Sequence, residues 1–279
     1  MPELPEVRVH AARLAAEFDG RILESFQPIK FTSLKTATPP VAAAYGQTVN
    51  GLTSRGKFLL MALDGDFTFV IHLMQGGRLI PDTRRTARPR GGLCRWVFDT
   101  GAALLLTEAG TERKAGTWLV QGDVGSQPPL VGLGPEADRV GLDALGARLA
   151  SSSGRLHGVL RDQHLLAGIG RRLANEICHT AKLSPFAPAN RLTDNQISAL
   201  HAAIGVEVER SLVFEHEQQE MVASAKRPAA VHHRTGETCP ECGDKIRAVE
   251  YRTYTVNYCA TCQTGGKVLA DNTTSKFLR

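Results

Sequence analysis

The chain has 279 residues, 42% hydrophobic and 22% charged, a balance that excludes a disordered polymer. Lys and Arg outnumber Asp and Glu by 33 to 28, and this net +5 mildly favours a polyanionic partner. No apolar run approaches the roughly 18–20 residues of a membrane span. The start, MPELPEVRVH, has acids where a secretion signal needs a basic and then an apolar stretch. The expectation is a soluble cytoplasmic monomer with no membrane partner.

At roughly 100–200 residues per domain, this length predicts two domains with a small third unit. Residues 6–18 read as a helix, because Val7, Ala11, Leu14, Ala15 and Phe18 recur at helical spacing. From there to about 120, short apolar runs at 58–63, 67–74, 93–98, 103–107 and 117–120 alternate with turn residues, which predicts a β-sandwich or barrel. The five-arginine stretch at 83–95 reads either as a solvated loop or as a phosphate-contacting edge.

Residues 121–138 are rich in Gly, Pro and acids and read as a linker between domains 1–120 and 139–230. Helices are predicted at 142–149, 155–166 and 171–182, the last stopped by Ser184-Pro185. Thr193 and Gln196 form a capping box ahead of Ile197, Leu200, Ile204 and Val208. Between the second and third helices, Gly168 and Gly170 precede Arg171 and Arg172. That pattern reads as a tight helical hairpin, or as a phosphate site where backbone N–H groups and basic side chains meet. Residues 214–230 are polar and poorly periodic and read as a loop.

Cys94 and Cys178 stand alone in apolar surroundings and read as small buried hydrophobes. The other four of the six cysteines form two C-x2-C pairs, Cys239/Cys242 and Cys259/Cys262, sixteen residues apart. In a long chain without an export signal, that spacing predicts one structural Zn²⁺. Four thiolates close its tetrahedron and leave no open position for catalysis. Residues 231–279 are therefore a zinc unit, a β-hairpin ribbon with a basic face that includes Lys276 and Arg279.

The order of these motifs resembles the formamidopyrimidine-DNA glycosylase / endonuclease VIII family. The matching residues are Met1 to Val7 (MPELPEV), Arg55 to Leu60 (RGKFLL), His72-Leu73 and Leu133 to Glu136 (LGPE). They continue through Asp162-Gln163, Ala167 to Gly170 (AGIG), Ala174, Glu176-Ile177, Pro185 and the two cysteine pairs. The resemblance implies an α+β multidomain chain. An N-terminal β-sandwich with an N-terminal helix is followed by a helix-two-turn-helix domain and a four-cysteine zinc ribbon, with damaged DNA in the cleft between the halves. It also implies a bifunctional glycosylase and AP lyase of base-excision repair, acting on nucleoid DNA.

The residues supply the chemistry. Removal of Met1 ahead of a small residue would free the secondary amine of Pro2. An α-amine with a pKa of about 8 is substantially neutral near pH 7 and is a ready nucleophile. Glu3 beside it can shuttle protons, and Glu6 is a second carboxylate that holds the amine or ribose. The resemblance makes Lys57 the loop lysine on the lesion phosphate. It places His72, Arg113, Gly168 and Gly170 among the DNA contacts.

The departures concern lesion handling. Arg171 stands where the family usually has Asn. Tyr254 stands at the ribbon arginine, with Arg252 as the nearest arginine. Either Met74 or Gln75 must fill the gap left by a flipped base. The intercalating Phe of the wedge loop becomes Ala115 in Thr111 to Gly116. Polar residues 214–230 replace a Gly-rich lesion-covering segment. Three readings follow. One is a glycosylase/lyase for oxidised bases. The second is a glycosylase for other lesions: oxidised pyrimidines, bulky adducts, or lesions in bubbles and single strands. The third is a DNA-binding repair factor with little turnover.

Overall fold

The structure, a computed structural model, describes residues 1–111 and 113–269. Glu112 and residues 270–279, with Lys276 and Arg279 of the expected basic face, lie outside the described residues. Helix α1 (Leu4–Phe18) begins earlier than its periodicity suggests. The extra turn forms because Pro5 falls in the first turn, where a missing N–H costs nothing, and because a Glu3/Glu6 capping box closes the end. Val7, Ala11, Leu14 and Phe18 face the sandwich core.

Eight strands follow: β1 (Leu23–Pro28), β2 (Val49–Arg55), β3 (Phe58–Leu63), β4 (Phe67–His72), β5 (Gly77–Pro81), β6 (Gly92–Phe98), β7 (Ala103–Glu108) and β8 (Gly116–Gln121). They form two antiparallel four-stranded sheets, in the orders β1-β6-β7-β5 and β2-β3-β4-β8. Side chains from both sheets meet at Phe26, Phe69 and Trp96, whose ring centroids lie 5.3–5.7 Å apart. α1 packs on β2 and β3. Strands β1, β2 and β5 escaped the periodicity reading. Register shifts at Leu23/Ser25 and Val49/Gly51 break the alternation in the first two, and β5 is only five residues long.

The helical part contains α2 (Leu142–Ala150), α3 (Leu156–Leu160), α4 (Arg171–Thr180) and α5 (Asp194–Glu217). The helix expected over 155–166 is only α3. Beyond it, the Asp162 carboxylate accepts the His164 N–H at 2.9 Å and turns the chain, the usual competition of Asp with a helix. The loop expected from 214 starts later: α5 runs to Glu217, anchored by the fully buried Glu215. A further short turn forms at Ser224–Lys226. The ribbon is a two-stranded hairpin of β9 (Ile246–Glu250) and β10 (Thr255–Cys259), followed by α6 (Ala260–Thr264). The described residues form two compact units: one from 1–132 with 219–224, the other from 133–218 with those from 225 onward. No described helix is long and apolar enough to cross a membrane.

Candidate active site and nucleic-acid interface

In the first unit, the N-terminal head is unusually well buried for a chain terminus. Met1 is exposed, but Pro2 is buried. Glu3 and Glu6 are 4% and 1% exposed. The Glu3 N–H donates to the Glu6 carboxylate at 3.0 Å, and the Glu3 carboxylate accepts the Glu6 N–H in return.

Lys57 sits in the two-residue turn joining β2 and β3. Gly56 takes φ +58 there, as a glycine-first hairpin turn requires. The lysine is only 7% exposed. In the register of β3 and β4, the next residue, Phe58, pairs with His72, and their rings lie 4.6 Å apart. Burial, reinforced by the Lys57 charge, pushes the His72 pKa down to about 4, so the imidazole is neutral near pH 7. Its Nδ1 accepts the Met74 N–H at 3.1 Å. This bond holds Met74 at φ +52, ahead of Gly77, where any Cβ would run into the Leu73 carbonyl.

The turn separates the two gap-filling candidates. Met74 packs against the sandwich core, whereas Gln75 is exposed. Both line a cavity of about 310 Å³ with Glu108, Arg113 and Lys114. Arg113 is held at φ +43 by a bond from its Nε to the Gly110 carbonyl at 3.3 Å. Ala115 is not displayed on that loop at all. It is 1% exposed in the sandwich core, and its N–H donates to the buried Glu108 carboxylate at 2.7 Å. The five-arginine stretch also divides. Arg95 is built into β6, where it pairs with Asp82 at 2.7 Å, while Arg84, Arg85, Arg88 and Arg90 are exposed.

In the second unit, Gln163 organises the glycine turn. Its Oε1 accepts the Gly168 N–H at 3.0 Å, and its Nε2 donates to the carbonyls of Ile169 at 2.9 Å and Arg161 at 2.8 Å. Gly168 takes φ +102, a conformation that other residues rarely adopt. Gly170 is the N-cap of α4 and supplies no side-chain cap, and Arg171 is the first helical residue. Arg171 Nη1 reaches the ribbon turn and donates to the Thr253 carbonyl at 3.3 Å. The adjoining Tyr254 stacks on Tyr251 at 4.7 Å and carries the Arg161 guanidinium 4.4 Å from its ring centroid. Arg252 is exposed in the same turn. Arg171 and Tyr254 therefore belong to one constellation in space, although 82 residues separate Arg171 from its partner Thr253.

The sulfurs of Cys239, Cys242, Cys259 and Cys262 lie within 4.8 Å of one another. Two edges measure 3.3 Å (Cys242 to Cys259) and 3.9 Å (Cys239 to Cys262). A tetrahedral zinc with Zn–S bonds of about 2.3 Å needs edges of about 3.8 Å, so this donor set fits that ion. His179 Nε2 approaches Cys239 Sγ at 3.4 Å and ties the cluster to α4. Glu176, also on α4, accepts the N–H groups of Ala230, Val231 and His232 at 2.6–3.1 Å and fixes the entry to the ribbon. Gln163 and Glu176 are legible in the sequence as motif members, but these building roles are not. A polar residue within a helical pattern signals a buried partner only when its acceptor is already known.

The formamidopyrimidine-DNA glycosylase N-terminal domain model matches residues 1–118, and the H2TH domain model of the same enzymes matches residues 131–221. The chain belongs to the formamidopyrimidine-DNA glycosylase family, whose members are DNA-repair enzymes. It is 30% identical to the formamidopyrimidine-DNA glycosylase of Chloroflexus aurantiacus, covering 94% of this chain and 98% of that one. It is 32% identical to the Thermus thermophilus enzyme, over 95% of this chain and the whole of the other. A Mycobacterium tuberculosis protein described as an uncharacterized formamidopyrimidine-DNA glycosylase-like protein is 43% identical. That match spans 53% of this chain and 94% of that protein. Among solved structures, the MutM (Fpg) protein of Thermus thermophilus superposes with a TM-score of 0.82 at 26% identity, covering 96% and 100% of the two chains. The Lactococcus lactis enzyme, solved bound to DNA containing an AP site, superposes at 0.83 with 22% identity, covering 94% and 99%; this match speaks for the fold.

Proposed function

We propose that this family member is a bifunctional DNA glycosylase and AP lyase that works through the Pro2 amine. The observation that carries the reading is the buried N-terminal head. Two carboxylates within the first six residues are almost wholly withdrawn from water, each accepting the other residue's backbone N–H. Ordering a terminus in this way costs conformational entropy, and it holds the groups beside the Pro2 amine in the fixed geometry that chemistry there requires.

In the proposed reaction the damaged nucleotide is flipped out of the stack, because C1′ is unreachable within it. The Pro2 nitrogen lone pair forms a bond to C1′ as the C1′–base bond breaks, and the base leaves with a proton relayed by Glu3. Opening of the sugar gives an iminium that withdraws electrons from C2′. Loss of a C2′ proton expels the 3′ phosphate, and a second proton loss expels the 5′ phosphate. Water then hydrolyses the iminium and restores Pro2. Lys57 pairs with a lesion phosphate, and its charge also helps to keep His72 neutral. Gln75, exposed at its turn, is favoured over Met74 as the side chain that enters the vacated stack. Arg113, Gly168, Gly170, Arg171, Arg252 and Tyr254 are proposed as DNA contacts. The four cysteines hold a zinc that shapes the ribbon and takes no part in the chemistry.

The burial of Ala115 favours a substrate preference within this reading. With no side chain to wedge the helix open, lesions already unpaired in bubbles or single strands are the better substrates. A panel of 8-oxoguanine, formamidopyrimidine, thymine glycol, hydantoin and abasic oligonucleotides, each as duplex and bubble, tests the proposal. Excision of at least one base together with nicking at abasic sites supports it. Tight binding without nicking of any substrate would establish the non-catalytic alternative.

A further inference from the structure

Tyr254 holds Arg161 in an unusual state. The arginine's Cζ lies 4.4 Å from the tyrosine ring centroid, and the ring is itself stacked on Tyr251 at an interplanar angle of 11°. Among the described residues, no hydrogen bond or carboxylate engages the Arg161 guanidinium. Only its backbone is tied: the N–H donates to the Gly158 carbonyl at 3.2 Å and the carbonyl accepts from Gln163. A guanidinium laid on an aromatic face keeps its five N–H donors at the rim, fixed in plane and open to an acceptor.

A second cation stands nearby. Arg161 and Arg171 both act on His157, an imidazole 2% exposed whose ring runs nearly parallel to that of Tyr254, at 6.0 Å and 13°. Burial, helped by these two charges, pushes His157 down to about 3; the Arg171 backbone and the Asn175 side chain oppose the shift, and no carboxylate among the described residues does. Among the described residues, His157 Nε2 is buried without a hydrogen-bond partner. Two guanidiniums are thus gathered around a neutral ring, with no counter-charge among the described residues, at the side-chain-uncapped start of α4. Their mutual repulsion is relieved by an anion.

We propose that Arg161, seated on Tyr254, is a DNA phosphate contact and forms with Arg171 a two-arginine phosphate seat. This rests on the reading of the chain as a DNA-binding glycosylase and goes beyond it. The arginine absent from the ribbon at Tyr254 is replaced by one on the helical hairpin, and the tyrosine ring positions it. Arg161 ends the short helix α3, so its backbone is fixed independently of the ribbon.

The test uses the full zinc-loaded chain and a duplex carrying a tetrahydrofuran abasic analogue, with affinity followed by fluorescence anisotropy across a salt series. Arg161→Gln is expected to lower the slope of log K against log salt by about 0.9, one phosphate contact. Affinity at fixed salt should fall about 10- to 100-fold, the range for a lost charge-assisted hydrogen bond. Arg161→Lys should keep the slope and lose part of the affinity, because an ammonium neither stacks nor forks as a guanidinium does. Tyr254→Leu should weaken wild-type binding by more than it weakens Arg161→Gln, because the ring positions that arginine besides its own DNA contact. An Arg161→Gln slope equal to wild type would overturn the inference while leaving DNA binding intact. Failure of the wild-type chain to bind the duplex at low salt would instead overturn the underlying functional reading, and this seat with it.

Discussion

Glu3 and Glu6 satisfy each other at the mouth of α1: each backbone N–H is accepted by the other's carboxylate, one of them at 3.0 Å. The pair makes Glu6 the fixture and Glu3 the residue it positions. Glu6→Ala leaves the buried Glu3 N–H without its acceptor and should cost about 1–2 kcal/mol. Glu6→Gln retains an oxygen for the same bond and should restore most of the stability. Urea unfolding followed by tryptophan fluorescence checks both variants, because the chain's two tryptophans, Trp96 and Trp118, lie in β6 and β8 of the sandwich.

The same placement separates zinc loss from sandwich unfolding. Chelation, or Cys259→Ser at a fully buried ligand position, should release one equivalent of zinc and abolish DNA binding. The tryptophan unfolding midpoint should stay unchanged. A metal assay showing no zinc in freshly purified protein would refute the assignment of the four cysteines.

Acid should weaken the sandwich through its buried imidazoles. His72 titrates near 6.5 when unfolded and at about 4 in the fold. His10, which donates to the Leu79 carbonyl at 2.7 Å, is likewise lowered to about 4, chiefly by burial. Between these values the unfolded chain binds more protons, so stability rises with pH. The contribution is fully present above about 6.5 and is lost as pH falls towards 4. Protonation of His72 at Nδ1 also breaks its bond from Met74. His72→Asn, whose side-chain oxygen can accept that N–H, should flatten the pH dependence of urea stability. An unchanged slope would contradict this.

Much of this architecture was legible because local patterns and distant partners agreed. The α1 heptad-like spacing, the Thr193/Gln196 box and the paired C-x2-C motifs each carry their own physics within a few residues. The strands β1 and β2 were not legible, because bulges at Leu23/Ser25 and Val49/Gly51 remove the period-2 signal. Tyr254 was legible only as a missing arginine. Its partners His157 and Arg161 lie nearly a hundred residues earlier, and no spacing rule connects them. The burial of Ala115 was likewise hidden, because it depends on Glu108 capturing its N–H.

That capture leads to a fourth prediction. Ala115→Phe should not create a wedge. The ring would be forced into a filled core and destabilise the sandwich by about 1–3 kcal/mol. For the wild-type chain, unstacking costs a few kcal/mol that no intercalating ring offsets. The same lesion should therefore be excised faster from a bubble than from a perfect duplex. Faster excision from the duplex would count against this.

Catalysis through the Pro2 nitrogen is decided by borohydride trapping on an abasic oligonucleotide, with the cross-linked peptide identified by mass spectrometry. The expected product is a covalent complex whose DNA adduct lies on the Pro2 nitrogen of a chain lacking Met1. An added N-terminal residue, which turns that nitrogen into an amide, should eliminate both the trap and the nick while leaving DNA affinity largely intact. An N-terminally extended chain that still cleaves abasic DNA at the native rate, or an adduct mapped to Lys57, would contradict it.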